Sequence, residues 1–517
     1  MIPTRSIVYI IGAGPGDPGL ISVRGLACLT SADVVLYDHL VQPKLLNHAR
    51  PAAERIDVGG AAPQAMDQEA ICYLLAEKAR EGKVVARLKW GDPFVFDQGG
   101  SEALFLHEQG VRFEVVPGIP AGIGAACYAG IPLTYPGGGD TLTFVRGHED
   151  EGRTRASVDW ASLARLDGTI VCYAGPDQLP HMLSALVSHG RPPDDAAALI
   201  YDGTLPTQDT TLGSISEIAR KVSQSNDRRA AILIVGRVVG LREHLRWYDA
   251  RPLFGKRIMV TRPKEQSADM VDRLELLGAE AIEAPLVRIV PPDDYGPLDE
   301  ACARVASFDW VVFSSANAVE VFVARLLASP LDLRALGAVR LCAIGPQTAE
   351  RLARHGLKVD LTPPEYRAET LVQAFLGLDR KGPDSVKGLK VLLPRADIGR
   401  EVVADELRRQ GAEVTDVVAY RTVAIEPERD GGPDIYRLLL EGRVDVVTFT
   451  SPSAVRTFVH LLGAEPAADL LQKTIVASIG PVTAEAGAQY HIQSTIVPQE
   501  YTVPALVEAI ARHFARR

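Results

Sequence analysis

The second half of this chain contains a long internal repeat, and this repeat constrains the fold more than any other feature. The segment GKRIMVTRP at Gly255 returns as GLKVLLPRAD at Gly388, and DWVVFSSANAVEVF at 309–322 returns as DVVTFTSPSAVRTF at 445–458. LCAIGPQTAERL likewise returns as VASIGPVTAEAG. Solenoid repeats are about 20 to 50 residues long, and this one is far longer. A duplicated domain with two similar α/β lobes is therefore predicted.

The first half shows a different pattern, in which strand-like apolar runs alternate with helix-like segments. The run at 7–11 leads into GAGPGDPG, and the chain then returns to a strand, DVVLYD, as in the opening of a parallel α/β sheet. A dinucleotide fingerprint is disfavoured, because Asp17 replaces its third glycine and Pro15 lacks an amide for phosphate. The loop predicts close approach by a ligand that is not a diphosphate; a plain tight turn is the alternative.

The carboxyl ends of the predicted strands are candidates for a site, because ligands of open α/β sheets bind there. Glycine loops follow strands at 12–16 and at Gly91, a third begins at Pro117, and Asp38 closes DVVLYD. An acidic residue in the position of Asp38 is also a common helix N-cap, and that alternative stays open. A break near Gly118 predicts a boundary between two lobes.

Several segments of the first half, in their order and spacing, resemble the tetrapyrrole methyltransferases, most of all uroporphyrinogen-III C-methyltransferase: GAGPGDP, DVVLYD, RLKWGDPFVF, VVPGI, YAGIPLT and GRVVGLR. The resemblance covers about residues 6–247. It implies a two-lobed α/β homodimer that binds S-adenosylmethionine in a cleft and methylates two pyrrole carbons, with Asp38 as the catalytic acid–base residue. The implied cofactor-binding residues are Pro15, Gly91, Asp92, Val95, Ala121 and Gly203.

The first half also departs from the usual family pattern. Gly60 stands where a lysine is usual, Trp90 replaces the first of two glycines, and Pro120 replaces a threonine. Ala174 replaces a methionine, and the pair at 135–136 is Tyr-Pro in place of His-Arg. These departures keep open the alternative of a degenerate methyltransferase that only dimerises or holds substrate.

Each repeat of the second half places hydroxyl groups at the starts of two helices. One strand ends in Ser315 or Ser451, and another ends in Ile-Gly-Pro, with Thr348 or Thr483 in the next helical turn. Hydroxyls and free amides at helix N-termini can bind an anion without a basic residue. Such hydroxyls often only cap their own helices, and this alternative stays open. The duplication favours a multiply anionic ligand in a cleft.

Residues 254–514 resemble uroporphyrinogen-III synthase through the paired F-[ST]-S-x-x-[AS] and I-G-P-x-T-A segments and AYRT at 419–422. This resemblance implies two flavodoxin-like lobes joined by a β-ladder, no cofactor, and closure of hydroxymethylbilane to uroporphyrinogen III with loss of water and inversion of the last ring. Tyr420 matches the residue thought to assist departure of the hydroxyl. The implied substrate-binding residues are Ser315, Thr348, Ser451 and Thr483. A two-lobed sensor is the alternative, because fold alone does not fix function.

Together the resemblances predict a bifunctional enzyme whose second half makes the tetrapyrrole that its first half methylates to precorrin-2, for sirohaem or cobalamin synthesis. The methyltransferase is expected at 1–248, with lobes at about 1–117 and 118–248, followed by a junction at 249–254. The synthase is expected at 255–517. Its first lobe would combine about 255–288 with 424–517, and its second would be about 289–423.

Composition bounds the location and the partners. The 6 cysteines include no CxxC pair, so neither a disulfide framework nor a metal site is predicted and a cytoplasmic protein is expected. A net charge of -10 argues against nucleic acid, and no apolar run approaches the ~20 residues of a membrane span. Arg87, Lys89, Arg262 and Arg395 are candidate donors to substrate carboxylates, with solvated surface charge as the alternative.

Overall fold

The computed structural model describes residues 6–59, 66–147, 158–363, 374, 386–397, 402–425 and 432–515 of the 517. The chain forms two compact units that divide between Lys256 and Arg257, with Leu277–Glu280 grouped with the first. Four β-sheets with flanking helices make up the described residues. The predicted α/β fold class is confirmed. Gly60, one of the departures noted above, lies outside the described residues.

The first sheet has five strands, all parallel, in the order β3-β2-β4-β1-β5. Parallel sheets are covered on both faces, and the central strand β4 is buried at every position. The strands are β1 (Ile7–Gly12), β2 (Val34–Tyr37), β3 (Glu54–Asp57), β4 (Val84–Lys89) and β5 (Phe113–Val116). The helices are α1 (Val23–Ser31), α2 (Pro43–Leu46), α3 (Gln68–Arg80) and α4 (Gly99–Glu108).

The second sheet is mixed and completes the first unit, with the order β6-β7-β10-β8-β9. Strands β6 and β7 are parallel, whereas β10 runs antiparallel to both of its neighbours. The strands are β6 (Thr141–Arg146), β7 (Gly168–Ala174), β8 (Ala196–Tyr201), β9 (Asp209–Ser214) and β10 (Ala231–Val235). The helices are α5 (Ala121–Tyr128), α6 (Trp160–Arg165), α7 (Leu179–Ser188), α8 (Ile215–Gln224) and α9 (Arg242–Leu245).

The third sheet takes strands from two distant parts of the chain, in the order β12-β11-β18-β19. Its strands are β11 (Arg257–Val260), β12 (Glu280–Glu283), β18 (Val446–Phe449) and β19 (Ile475–Ser478). The fourth sheet has the order β13-β17-β16-β14-β15, with only β13 antiparallel to its neighbour. Its strands are β13 (Val287–Val290), β14 (Trp310–Phe313), β15 (Arg340–Ala343), β16 (Lys390–Ala396) and β17 (Glu413–Ala424).

Helices surround these two sheets, and the internal repeat is visible in how they pack. Phe313 meets Phe322 edge-on at 5.3 Å, and the equivalent Phe449 meets Phe458 in the same way at 5.4 Å. The helices are α10 (Lys264–Leu276), α11 (Gly296–Ala303), α12 (Ala316–Ala328), α13 (Pro346–Arg354), α14 (Val402–Arg409), α15 (Ile435–Leu440), α16 (Pro452–Leu462), α17 (Ala464–Leu471), α18 (Pro481–Ala488) and α19 (Val503–Ala515).

Two further properties bear on the expected environment of the protein. Within the described ranges, every helix is too short or too polar to cross a lipid bilayer. All six cysteines are free thiols, and Cys127 is the exposed one.

Candidate active sites

In the first unit, the loops that follow β1, β4 and β5 meet through their backbones. Gly14 N lies 3.2 Å from Gly91 O, and Gly91 N lies 2.8 Å from Gly14 O. A Cβ added to Gly12 would overlap the backbone of Gly118, so both positions need glycine. The three loops therefore form one continuous rim at the carboxyl ends of the parallel strands, where ligands of such sheets bind.

Asp92 ties two of these loops together. Its Oδ2 accepts a hydrogen bond from Gly118 N at 3.0 Å, and its Oδ1 accepts one from Phe94 N at 2.8 Å. Val95 N donates to Asp92 O at 3.3 Å, which closes a turn. Asp92 and Val95 thus lie on one stabilised loop of the rim.

The other predicted cofactor residues, Pro15, Ala121 and Gly203, lie around the start of α5. Ala121 is the first residue of this helix. The ring of Pro15 leaves no room for a Cβ at Gly124, and Ala125 leaves none at Gly203. The structure therefore brings three chain segments with small residues close together.

The backbone on both sides of Gly203 is strained. Asp202 and Thr204 have φ values of 48° and 74°, which few residues other than glycine adopt. Asp202 is held by an ion pair with Arg229 at 2.5 Å, and Thr204 Oγ1 accepts from Asp17 N at 3.0 Å. Strain of this kind is common at functional sites, where surrounding contacts maintain it.

The departures from the family pattern are part of the same region. Trp90 donates from Nε1 to Pro15 O at 3.0 Å and packs against the apolar cluster that contains Ala121. Pro120 occupies the N-cap position of α5 without a side-chain hydrogen bond. Ala174 is buried at the end of β7. Trp90 therefore both fixes the Pro15 loop and fills space beside the start of α5.

Asp38 belongs to a cluster of five charged side chains at the same rim, named here the rim cluster. Arg87 Nη2 lies 2.5 Å from Asp38 Oδ1, and its Nε lies 3.2 Å from Glu102 Oε1. Lys89 Nζ lies 3.0 Å from Glu102 Oε1 and 3.0 Å from Asp97 Oδ1. It lies 3.8 Å from Asp38 Oδ2. Asp38 is thus ion-paired and does not cap a helix.

The members of the rim cluster differ in burial and in acidity. Arg87, Lys89 and Glu102 are 1%, 2% and 0% exposed, whereas the Asp38 and Asp97 side chains are 26% and 20% exposed. Burial favours protonation of Glu102, but Arg87 and Lys89 outweigh this and lower its pKa. For Asp97 burial outweighs the attraction of Lys89, so its pKa is raised.

The alternative of solvated surface charge is wrong for Arg87 and Lys89. Both side chains point into the first unit and pair with protein carboxylates, because the central strand that carries them is buried on both faces. Glu102 and Asp97 were missed from the sequence. The available signal was the pair of cations in an otherwise apolar strand, since buried charges require partners.

In the second unit, Tyr420 and Ser315 lie side by side. The Tyr420 hydroxyl is 3.0 Å from Ser315 Oγ, and the ring is 7% exposed. Burial raises the pKa of the phenol, although hydrogen bonds with Ser315 and Asn317 oppose the shift. Ser315 Oγ also accepts from Ala318 N at 3.2 Å, so it caps α12 as well. The two interpretations of Ser315 are therefore compatible.

The other predicted hydroxyls occupy equivalent helix starts. Ser451 caps α16 through Ala454 N at 3.2 Å and lies 2.8 Å from Ser453 Oγ. Thr348 and Thr483 are buried in the first turns of α13 and α18. The N-caps of those two helices are glycines that offer no side-chain hydrogen bond.

Arg262 and Arg395 have different environments. Arg395 Nε pairs with Asp416 at 2.7 Å and has a structural role. Arg262 donates to Gln266 Oε1 at 3.3 Å, and no carboxylate of the described chain forms an ion pair with it. Burial lowers its pKa. Arg262 is thus a desolvated cation suited to bind an incoming carboxylate. Gln266 in turn donates a hydrogen bond from Nε2 to Asn317 Oδ1 at 2.7 Å.

Comparison with known families defines the class of each half. The tetrapyrrole (corrin/porphyrin) methylase model matches residues 7–219, and the uroporphyrinogen-III synthase HemD model matches residues 268–508. A porphyrin biosynthesis protein HemD of Ruminiclostridium josui is 35% identical over 508 residues, which is 98% of each chain. The chain therefore belongs to the tetrapyrrole-biosynthesis family in which a tetrapyrrole methylase is fused to a uroporphyrinogen-III synthase.

Two further similarities concern the methylase. A uroporphyrinogen-III C-methyltransferase of Bacillus subtilis (strain 168) is 36% identical over 373 residues, 72% of this chain and 76% of that protein. The crystal structure of a uroporphyrin-III C-methyl transferase from Thermus thermophilus complexed with S-adenyl homocysteine is 35% identical, with a TM-score of 0.40. It covers 45% of this chain and 99% of that chain. The predicted membership in both enzyme families is confirmed.

Proposed function

We propose that the first unit transfers two methyl groups from S-adenosylmethionine to uroporphyrinogen III and releases precorrin-2. The observation that carries this proposal is the meeting of three glycine loops directly beside the rim cluster. The loop segments 12–20, 91–98 and 117–122 contain acidic but no basic side chains. Such a lining suits a sulfonium cation and disfavours a phosphate.

The residues of the first unit would act by positioning and by handling a proton. When bound, S-adenosylmethionine supplies an electrophilic methyl group. Pro15, Gly91, Asp92, Val95, Ala121 and Gly203 are proposed to hold it, mainly through backbone groups and small side chains. Asp38, partly exposed and held by Arg87, is proposed to take up the proton that the tetrapyrrole loses.

Gly91→Ala tests the cofactor site, with Gly110→Ala as its control. Both glycines have positive φ, 70° and 65°, so both substitutions strain the backbone by a similar amount, about 1 kcal/mol. A Cβ at Gly91 would approach no protein atom closer than 3.6 Å, and one at Gly110 meets none within 4 Å. Calorimetry is expected to show at least tenfold weaker S-adenosylmethionine binding for Gly91→Ala alone. Equal affinities in the two variants would contradict the site.

We further propose that the second unit closes hydroxymethylbilane to uroporphyrinogen III without a cofactor. The buried Tyr420 phenol beside Ser315 is suited to donate a hydrogen bond to the departing hydroxyl. The proposed carboxylate-binding groups are Ser315, Thr348, Ser451, Thr483 and Arg262. Cyclisation of hydroxymethylbilane by Tyr420→Phe tests this part, because the variant should be slower.

For the whole protein we propose a methyltransferase at 1–248 and a synthase at 255–517, acting in the cytoplasm as a homodimer through the methyltransferase and serving sirohaem or cobalamin formation. A second candidate is an active synthase fused to a non-catalytic methyltransferase. The side chain of Trp90 favours it, because it fills space beside the start of α5. Trp90→Gly separates the two: gain of S-adenosylmethionine binding absent from the wild type would establish the second candidate.

A further inference from the structure

The rim cluster contains one carboxylate more than it has cations. Arg87 and Lys89 face Asp38, Asp97 and Glu102, which together leave one negative charge uncompensated when all five groups are ionised. Burying an uncompensated charge is costly, so the cluster has a strong tendency to take up one proton. Glu102 Oε2 is buried and has no hydrogen-bond partner in the described structure, so no donor stabilises a charge on that oxygen.

The contacts indicate which carboxylate takes up a proton most readily. Glu102 faces both cations and also accepts from Gln68 Nε2 at 3.2 Å, which stabilises its ionised form. Asp38 has the close contact with Arg87. Among the described residues, Asp97 forms an ion pair with Lys89, and the nearby Asp38 carboxylate repels it. Its raised pKa agrees with this placement.

The backbone holds Asp97 in this position by local strain. Phe96 has a φ of 56°, and its ring packs edge-on against Tyr173 at 5.1 Å. Gln98 N then donates to Asp97 Oδ1 at 2.5 Å. A non-glycine residue in this conformation is strained and persists where surrounding contacts maintain it.

We propose that Asp97 is a positioning residue of the methyltransferase: through Lys89 it gives the rim cluster the negative excess that allows Asp38 to accept the proton of the tetrapyrrole. In that step a C–H bond of the methylated macrocycle breaks and its electron pair returns to the ring system. The proton bonds to an Asp38 oxygen, and the cluster becomes neutral. This inference rests on the proposed methyltransferase function.

The pH dependence of methylation tests the role of Asp97. In the wild type the rate should rise with pH as the cluster loses its extra proton. Asp97→Asn leaves a cluster that is already neutral, so the maximal rate of methylation should fall at least tenfold. The rising limb of the pH–rate profile should also move about one pH unit lower. Asp97→Glu, which keeps the carboxylate, should restore both.

Asp177→Asn, which removes a surface ion pair with Arg228, serves as the control and should leave the profile unchanged. If Asp97→Asn is slower but its pH–rate profile is not shifted, Asp97 has only a structural role, and the inference is overturned.

A second readout separates this inference from the proposed function. If the wild type methylates at no pH, the proposed methyltransferase activity fails, and the titration of Asp97 still decides the inference. In NMR spectra of protein with ¹³C-labelled aspartate, one carboxyl signal should titrate with a pKa above the usual aspartate value of about 3.9. The same signal should be missing in Asp97→Asn. A signal within the usual range would overturn the inference.

Discussion

At the scale of single residues, Glu102 shows how buried charges depend on one another. Its Oε1 lies 3.2 Å from Arg87 Nε and 3.0 Å from Lys89 Nζ. Two almost fully buried cations share this oxygen, and each also pairs with a partly exposed aspartate. Because removing one partner of a buried ion pair is costly, we expect the loss of this fully buried carboxylate to destabilise the protein more than the loss of an exposed one.

Glu102→Gln is expected to destabilise the protein by about 3 kcal/mol at neutral pH. The pKa of Glu102 is lowered in the folded state, so its stabilisation is present above the unfolded-state pKa and is lost as pH falls through the folded-state pKa. The difference between wild type and variant in urea denaturation should therefore shrink in acid. Glu114→Gln breaks an exposed pair with Arg24 and should have a much smaller effect. Equal losses from both substitutions would contradict this account.

Tyr420→Phe removes a single hydroxyl and is expected to slow cyclisation of hydroxymethylbilane by about 100-fold, because the departing hydroxyl would lose its proposed hydrogen-bond donor. This rate is measured by quenching the reaction at set times and separating the type III from the type I isomer of the product. Tyr436→Phe, at a half-exposed tyrosine of the same unit, is the control. Methylation of supplied uroporphyrinogen III should be unchanged in both. An unchanged cyclisation rate would remove Tyr420 from the mechanism.

At the scale of elements, the repeated helix starts have different surroundings, and we expect them to perform different tasks. Ser315 and Ser451 cap α12 and α16 in the same way, but Ser315 also touches Tyr420, whereas Ser451 touches Ser453. The duplication has therefore kept the capping geometry and changed what surrounds it.

Ser315→Ala and Ser451→Ala form a matched pair that separates capping from function. Each should lose about 1 kcal/mol of stability, because each removes one N-cap. Ser315→Ala should lower the cyclisation kcat, since it releases Tyr420. Ser451→Ala should mainly raise KM, since it would weaken the proposed contact with a substrate carboxylate. Steady-state kinetics, at a temperature at which both variants remain folded, measure kcat and KM separately. Identical kinetic effects in the two variants would contradict the assignment of different tasks.

The sequence predicted these elements well where short-range signals suffice. The apolar run 34–37 became β2 and left Asp38 at its end, as the alternation of strands and loops indicates. The partners of Asp38 could not be predicted, because they depend on how α4 turns Glu102 towards β4 and on a strained Phe96. Long-range packing of this kind leaves only a weak trace in the sequence, namely cations in an otherwise apolar strand.

At the scale of the whole molecule, each compact unit has its own sheets and its own candidate site. The glycine loops and the rim cluster belong to the first unit, and Tyr420, Ser315 and Arg262 belong to the second. Each unit thus contains a separate set of residues for its proposed reaction. We expect that substitutions in one set leave the other reaction intact.

The most direct test supplies the purified protein with hydroxymethylbilane, with and without S-adenosylmethionine, and follows products by mass and absorbance against spontaneous closure. The account predicts uroporphyrinogen III without the cofactor and a doubly methylated product with it. Asp38→Asn should abolish only the doubly methylated product. Tyr420→Phe should slow formation of both products, and methylation should recover when uroporphyrinogen III is supplied. Formation of only the type I isomer at the spontaneous rate, with no methylation of added uroporphyrinogen III, would contradict the central claim.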